Sequence, residues 1–314
     1  MFDFPSSMKP IFKDAALQAA FEKDGFVVVD FYSPQQVEQL IQLYRDLHPK
    51  DEVGFFPSTF SSDKNYRKKA DQTIREVAAN RMQEIFTDFQ EVCGSFIVKS
   101  PNPQSGMCVH QDMSLVDESR FTGVNIWAPL TDLTIQNGAI FVLPGSHRFF
   151  PTYRGSSIPE FFSPVMNEIV DYLQPVLISA GKAVVFDQSI IHFSPPNLSD
   201  QIRIVTNIFI TNADAEFRTY FWDKNPENKV EIYAQESTFM TDFEQFGQNI
   251  HNRPRVGSLI QTEVYSFPKI NAGFLAENCK PTQARILIES EWKAYQDAHQ
   301  PTPSPKKWWQ KIIG

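Results

Sequence analysis

The sequence predicts a mainly β fold with flanking α-helices, of the sandwich or jelly-roll kind. Three observations carry this. Short β-type runs recur through the middle of the chain, turn signals separate them, and a largely helical third precedes them. The chain has 314 residues, 42% hydrophobic and 21% charged, which is globular composition with room for a large core.

The helical third is read first. Ala15 to Asp24 carries Leu17, Ala20 and Phe21 on one face of a short helix, and Gly25 stops it. Phe26 to Phe31 is a β-rich run. Ser33-Pro34-Gln35-Gln36 is a helix start: Ser33 caps, Pro34 suits the first turn, and Gln36 completes a capping box. Val37, Leu40, Ile41 and Tyr44 then follow at helical spacing, and a second helix is expected over roughly Lys69 to Val92.

From Gly94 the pattern changes to strands. The expected runs are Ser95 to Lys99, Gly123 to Leu130, Ala139 to Leu143, Val176 to Ser179, Ala183 to Asp187 and Ile202 to Ile210. Pro101-Asn102-Pro103, Gln136-Asn137-Gly138, Pro144-Gly145-Ser146 and Pro195-Pro196-Asn197 are among the turns between them. Phe149 to Gln174 and Ala213 to Ile270 read as long irregular segments, the places where lids and substrate-binding loops occur. Glu289 to His299 reads as a helix, ahead of a Pro-rich stretch and a basic, Trp-bearing tail at Lys306 to Trp309. The expected organisation is one domain over 1–314: about 1–93 as helical support, about 94–212 as β core with an insert at 149–174, and about 213–314 as a C-terminal extension.

Composition narrows the function. A net charge of -8 is the wrong sign for a general nucleic-acid binder. No run of eighteen apolar residues is present, so no transmembrane segment is expected. Met1 to Pro10 lacks a charged-then-apolar signal region, and Cys93, Cys108 and Cys279 form no CxxC pair. Both facts suit a cytoplasmic protein without a disulfide scaffold or thiolate zinc site. Nothing reads out an oligomeric state.

Six histidines are present. His110 opens the triplet His110-Gln111-Asp112. In an extended strand residues i and i+2 share a face, so a nitrogen and an oxygen can meet one metal. His192 follows a second β run, and two histidines with one carboxylate are the facial triad of non-haem iron(II) oxygenases. Arg203 lies eleven residues further on, between apolar Ile202 and Ile204. It either points into the barrel, where it needs an anion, or stands exposed on the strand. His147 and Cys108 read as packing residues, and His48, His251 and His299 as surface residues. Lys64, Arg67, Lys68 and Lys69 read as a solvated helix face or a patch for an acidic substrate.

These residues, taken in order, resemble the phytanoyl-CoA dioxygenase family of iron(II)/2-oxoglutarate oxygenases. The resemblance rests on Val109-His110-Gln111-Asp112, the strand Asn125 to Leu130, the run Asn137-Gly138-Ala139 through Pro144-Gly145-Ser146-His147, then His192-Phe193-Ser194 and Arg203. Phe21 to Val27 resembles the family's opening, and the likeness covers roughly residues 15 to 212. It implies a double-stranded β-helix of cupin type, with Fe(II) held by His110, Asp112 and His192. It also implies 2-oxoglutarate anchored by Arg203 with support from Ser194, Trp127 lining that pocket, and O2 as oxidant. Related halogenases carry a small residue in place of the acidic ligand, so Asp112 argues against halogenation. The expected reaction is oxidation of a small natural-product or amino-acid-like substrate. An acyl-CoA or lipid substrate, a non-redox metal barrel and a non-catalytic module on the same fold are the alternatives.

Overall fold

The computed structural model describes residues 9–48, 53–224, 227–242 and 252–299. Helix α1 (Ala15–Asp24) is capped by the Asp14 carboxylate and ends at Gly25 in the left-handed region, φ 78°. Strand β1 (Phe26–Asp30) follows, and α2 (Pro34–Leu47) opens on the Ser33/Gln36 capping box. Then come β2 (Phe55–Pro57) and α3 (Lys64–Ile85). The remaining strands to the end of the core are β3 (Phe89–Lys99), β4 (Met107–His110), β5 (Val124–Pro129), β6 (Phe141–Val142), β7 (Gln174–Pro175), β8 (Lys182–Asp187), β9 (His192–Ser194) and β10 (Arg203–Asn212).

Two antiparallel sheets make the core. The larger has the order β1-β8-β5-β10-β3-β2 and the smaller β4-β9-β6-β7. From β3 to β10 the chain passes between them repeatedly, which is the double-stranded β-helix. Side-chain alternation divides the larger sheet between two cores. Val124, Ile126, Ala128, Ala183, Val185, Ile204 and Ile208 pack under α1–α3 with Phe21, Leu40, Ile74 and Met82. Trp127, Val184, Phe186 and Val205 face the smaller sheet with Ile140 and Val142. Both faces are buried, so these strands read as near-continuous apolar runs.

Several expected boundaries shift. The second helix runs Lys64–Ile85 rather than to Val92. The strand expected at Ser95 begins at Phe89: the helix ends where Phe86 turns to extended backbone, and Asp88 at φ 42° redirects the chain into the strand. Val176 to Ser179 is not a strand, and Ala139 to Leu143 keeps only Phe141–Val142. Ala213 to Ile270 is not wholly irregular: β11 (Phe217–Trp222), β12 (Lys229–Gln235) and β13 (Ser258–Val264) form a separate antiparallel sheet. In the 149–174 segment, Phe161, Phe162, Val165, Ile169 and Leu173 pack beneath the smaller sheet. Leu275 and Ile288 join them from two C-terminal helices, Ala272–Asn278 and Ala284–His299. His251 and the basic tail lie outside the described residues.

Candidate active site

His110 and His192 meet because their strands pair. β4 and β9 run antiparallel with these residues opposite one another, ring centroids 4.1 Å apart. Each ring is oriented by its own backbone: Nδ1 of His110 lies 2.8 Å from the Cys108 carbonyl and Nδ1 of His192 3.0 Å from the Ile190 carbonyl. A carbonyl only accepts, so Nδ1 donates and Nε2 keeps its lone pair. Burial, and after it the neighbouring His192, pulls His110 down to about 4, so its imidazole is neutral near pH 7.

Asp112 lies just past the end of β4, not within a strand as the triplet suggested. Its backbone is fixed on both sides: its N–H donates to the Gln188 carbonyl at 3.0 Å, and its carbonyl accepts from Arg154 Nε at 2.7 Å. Its carboxylate oxygens stand 3.7 Å from His110 Nε2 and 3.9 Å from His192 Nε2. One ligand atom from each of the three residues lies within 4.8 Å of the others. Two imidazole nitrogens and a carboxylate on one side of a point are a donor set for a divalent first-row metal, with the opposite side open.

Those donors open onto a cavity of about 460 Å³ between the sheets. Phe55, Phe60, Met113, Leu115, Phe209 and Met240 supply much of its apolar wall, with Tyr153 and Tyr265 from outside the two core sheets. Arg203, Ser194 and Trp127 line the same cavity. Arg203 is 1% exposed, which settles its direction: it points inward. Its Nη1 donates to the Gly138 carbonyl at 2.6 Å, and its Cζ lies 5.3 Å from the Trp127 ring centre. Its Nε has no partner among the described residues, and burial pulls the guanidinium down to about 9. Gly138 has φ 82°, and a Cβ there would stand 2.6 Å from the Pro195 carbonyl. Glycine therefore lets this turn close over Arg203.

Three features escaped the sequence reading. Asn125 Nδ2 donates to Asp112 Oδ2 at 2.5 Å, and Asn207 Nδ2 donates to Asn125 Oδ1 at 3.1 Å. Period-2 alternation with Trp127 would have placed Asn125 on the inner face. Arg154 makes two 2.5 Å bonds to the Glu118 carboxylate from the irregular 149–174 segment, where no periodic signal exists. Lys99 is fully buried and donates to Ser194 Oγ at 2.6 Å and to the Ser194 and Pro195 carbonyls at 2.9 and 2.6 Å.

The other singled-out residues divide. His147 is buried, with Nε2 3.1 Å from the Glu22 carbonyl, and packs against Gly25 as a turn residue. Cys108 lines the cavity, and burial pushes its thiol up. His48 is not a surface residue: it is buried, stacked on Tyr44, with Nε2 2.7 Å from the Tyr66 hydroxyl. Arg67 is not on a solvated face either. It is buried and donates to the Ser61 and Thr241 carbonyls, while Lys64, Lys68 and Lys69 are exposed.

Fold and donor set together define a double-stranded β-helix protein with two histidines and one carboxylate that could hold a metal ion. The profile of the phytanoyl-CoA dioxygenase (PhyH) family matches residues 21–205, more than half the chain. The chain belongs to that family. A phytanoyl-CoA dioxygenase of Arabidopsis thaliana is 29% identical over 126 residues, covering 38% of this chain and 43% of that protein. A phytanoyl-CoA dioxygenase domain-containing protein 1 homolog of Caenorhabditis briggsae is 24% identical over 259 residues, covering 62% and 89%. The chain thus spans less than half of the first relative's length. Among solved structures, the α-ketoglutarate-dependent carbocyclase SnoK is 18% identical with a TM-score of 0.47, covering 66% of this chain and 87% of that one. EvdO2 of Micromonospora carbonacea, complexed with 2-oxoglutarate, is 20% identical with a TM-score of 0.44, covering 66% and 94%.

Proposed function

We propose that the protein is a non-haem Fe(II)/2-oxoglutarate-dependent dioxygenase that hydroxylates an unactivated C–H bond of a small natural-product or amino-acid-like molecule. The observation that carries this reading is one cavity holding both a three-donor metal site and a buried arginine with no acidic partner among the described residues. Hydrolysis or simple metal storage has no use for the arginine, whereas a dicarboxylate cosubstrate does.

His110, Asp112 and His192 would hold the iron. Arg203 would grip the distal carboxylate of 2-oxoglutarate, Ser194 would donate to it, and Trp127 would wall it against Arg203. Iron and 2-oxoglutarate, when bound, supply an oxidant from O2 with release of succinate and CO2. The chain's residues do the rest. The backbone carbonyls of Cys108 and Ile190 keep both Nε2 lone pairs aimed inward, and Asn125 holds one Asp112 oxygen. The apolar wall excludes water from the reacting C–H bond.

The same wall supports a substrate with an apolar body. Burial of Arg67 thins the basic cluster that a coenzyme A phosphate would need, which favours a small molecule over an acyl-CoA. Residues 1–314 are read as one oxygenase unit, because one core joins the N-terminal helices to the larger sheet and another joins the C-terminal helices to the smaller.

Anaerobic titration of the apoprotein with Fe(II) and then 2-oxoglutarate tests the reading. A weak visible charge-transfer band that needs both additions, and is lost in Asp112→Ala, is expected. Tight zinc binding with no such band would move the non-redox metal barrel to first place.

A further inference from the structure

The register of the larger sheet sets two buried basic side chains face to face. Lys99 on β3 and Arg203 on β10 are direct cross-strand partners. Their exposures are 0% and 1%. Like charges directly opposite one another on a sheet repel, and burial removes the water that would screen them. Among the described residues no carboxylate pairs with either: Lys99 bonds two carbonyls and a hydroxyl, and Arg203 bonds one carbonyl. Burial first, and Arg203 after it, holds the Lys99 amine well below its ordinary range, a penalty that a nearby anion relieves.

The three Lys99 bonds also set the direction of a proton. As the ammonium, the form that an anion in the cavity favours, Lys99 has three N–H bonds, and its partners are the Ser194 carbonyl, Ser194 Oγ and the Pro195 carbonyl. Because Nζ donates to Oγ, the Ser194 hydroxyl has its own O–H to give elsewhere. Ser194 and Arg203 line the cavity, whereas Lys99 stands behind Ser194.

We propose that Lys99 is a positioning residue of the 2-oxoglutarate site: it turns the Ser194 O–H toward the distal carboxylate and adds a second positive charge beside Arg203. This rests on the iron/2-oxoglutarate reading above.

The test compares two ligands on the Fe(II)-loaded full chain, anaerobically, by the charge-transfer band. 2-Oxoglutarate carries the distal carboxylate; 2-oxobutyrate has the same chelating end and lacks it. Lys99→Met is expected to raise the Kd for 2-oxoglutarate by about 10- to 100-fold. The Kd for 2-oxobutyrate should change by less than about twofold, because a lysine acting only through packing would weaken both ligands alike. Equal weakening of the two ligands, or no weakening of 2-oxoglutarate, overturns the proposal. Ser194→Ala serves where Lys99→Met does not fold. It removes the oriented hydroxyl, and a selective loss of about 3- to 10-fold for 2-oxoglutarate is expected. An even effect on both ligands there overturns the proposal too. A wild-type protein with no 2-oxoglutarate-dependent band would instead remove the iron/2-oxoglutarate reading itself, so the two failures are distinct.

Discussion

Two pairs of charged side chains, each with its arginine lining the same cavity, are built in opposite ways. Arg154 and Glu118 form a closed pair: two bonds of 2.5 Å satisfy the guanidinium and carboxylate mutually, and Arg154 uses its Nε to brace the Asp112 carbonyl. Lys99 and Arg203 form an open pair of equal sign, held by neutral carbonyls and a hydroxyl. A closed pair is part of the scaffold, since its desolvation cost is offset within the protein. On the reading proposed above an open pair is a site, since its cost is offset only by something that arrives. The contrast separates charges that hold the fold from charges that hold a ligand without reference to any motif.

Substitution can break that contrast. Arg154→Met leaves the half-buried Glu118 carboxylate without its cation and should cost up to about 3–5 kcal/mol of stability. Urea unfolding measures this. The double variant Arg154→Met/Glu118→Leu should recover most of the loss, and no recovery would mean that Arg154 acts mainly through Asp112. Arg203→Met should behave the other way. Apoprotein stability should hold or rise, while affinity for 2-oxoglutarate falls by about a hundredfold, the loss of charge-assisted bonds to a carboxylate. Thermal melts beside the anaerobic titration would show both. A large fall in apoprotein stability would place Arg203 with the scaffold instead.

Asn125→Ala sharpens the comparison at the metal end and has the smallest expected effect. It removes the amide that holds Asp112 Oδ2. Partners of this kind are worth about 10- to 100-fold in metal affinity, and the lower end is expected because Asp112 keeps both of its backbone anchors. Competition of Fe(II) against a chelator reads it. Unchanged affinity would mean that backbone anchoring alone fixes the carboxylate.

Local signals in the sequence carried far, and non-local ones did not. The capping box at Ser33 and the stop at Gly25 depend on residues three or four positions apart, and both were legible. Buried strands of five or more residues announced themselves by apolar runs. Strands β4 and β9, which bring the two histidines together, have four and three residues. No period can be read from so few, so the site was legible from the His110-Gln111-Asp112 triplet and His192, which the family resemblance joined, and not from the strands. The end of α3 was misread because the apolar pattern at 89–92 continues into a strand without a Gly or Pro between. Lys99 was invisible for a stricter reason. A lysine at the end of a strand and before Ser-Pro reads as a solvent-facing terminus. Its burial follows from pairing with a residue 104 positions away in the chain, Arg203 minus Lys99. Arg203 itself had two open readings for the same reason, and the register decided between them.

One pairing in the larger sheet bears on how the chain is made. β1 lies at one edge, and its only strand neighbour among the described residues is β8, with Phe26 opposite Phe186. This strand, the first among the described residues, therefore has no strand to join until some 160 residues more have been synthesised. At about 5–20 residues per second that interval is roughly 10–30 s. During it α1, and then α2 and α3 as they emerge, carry the residues that share a core with the apolar face of β1. These N-terminal helices are thus made in time to shelter a nascent edge strand before they become the outer layer of a finished sheet.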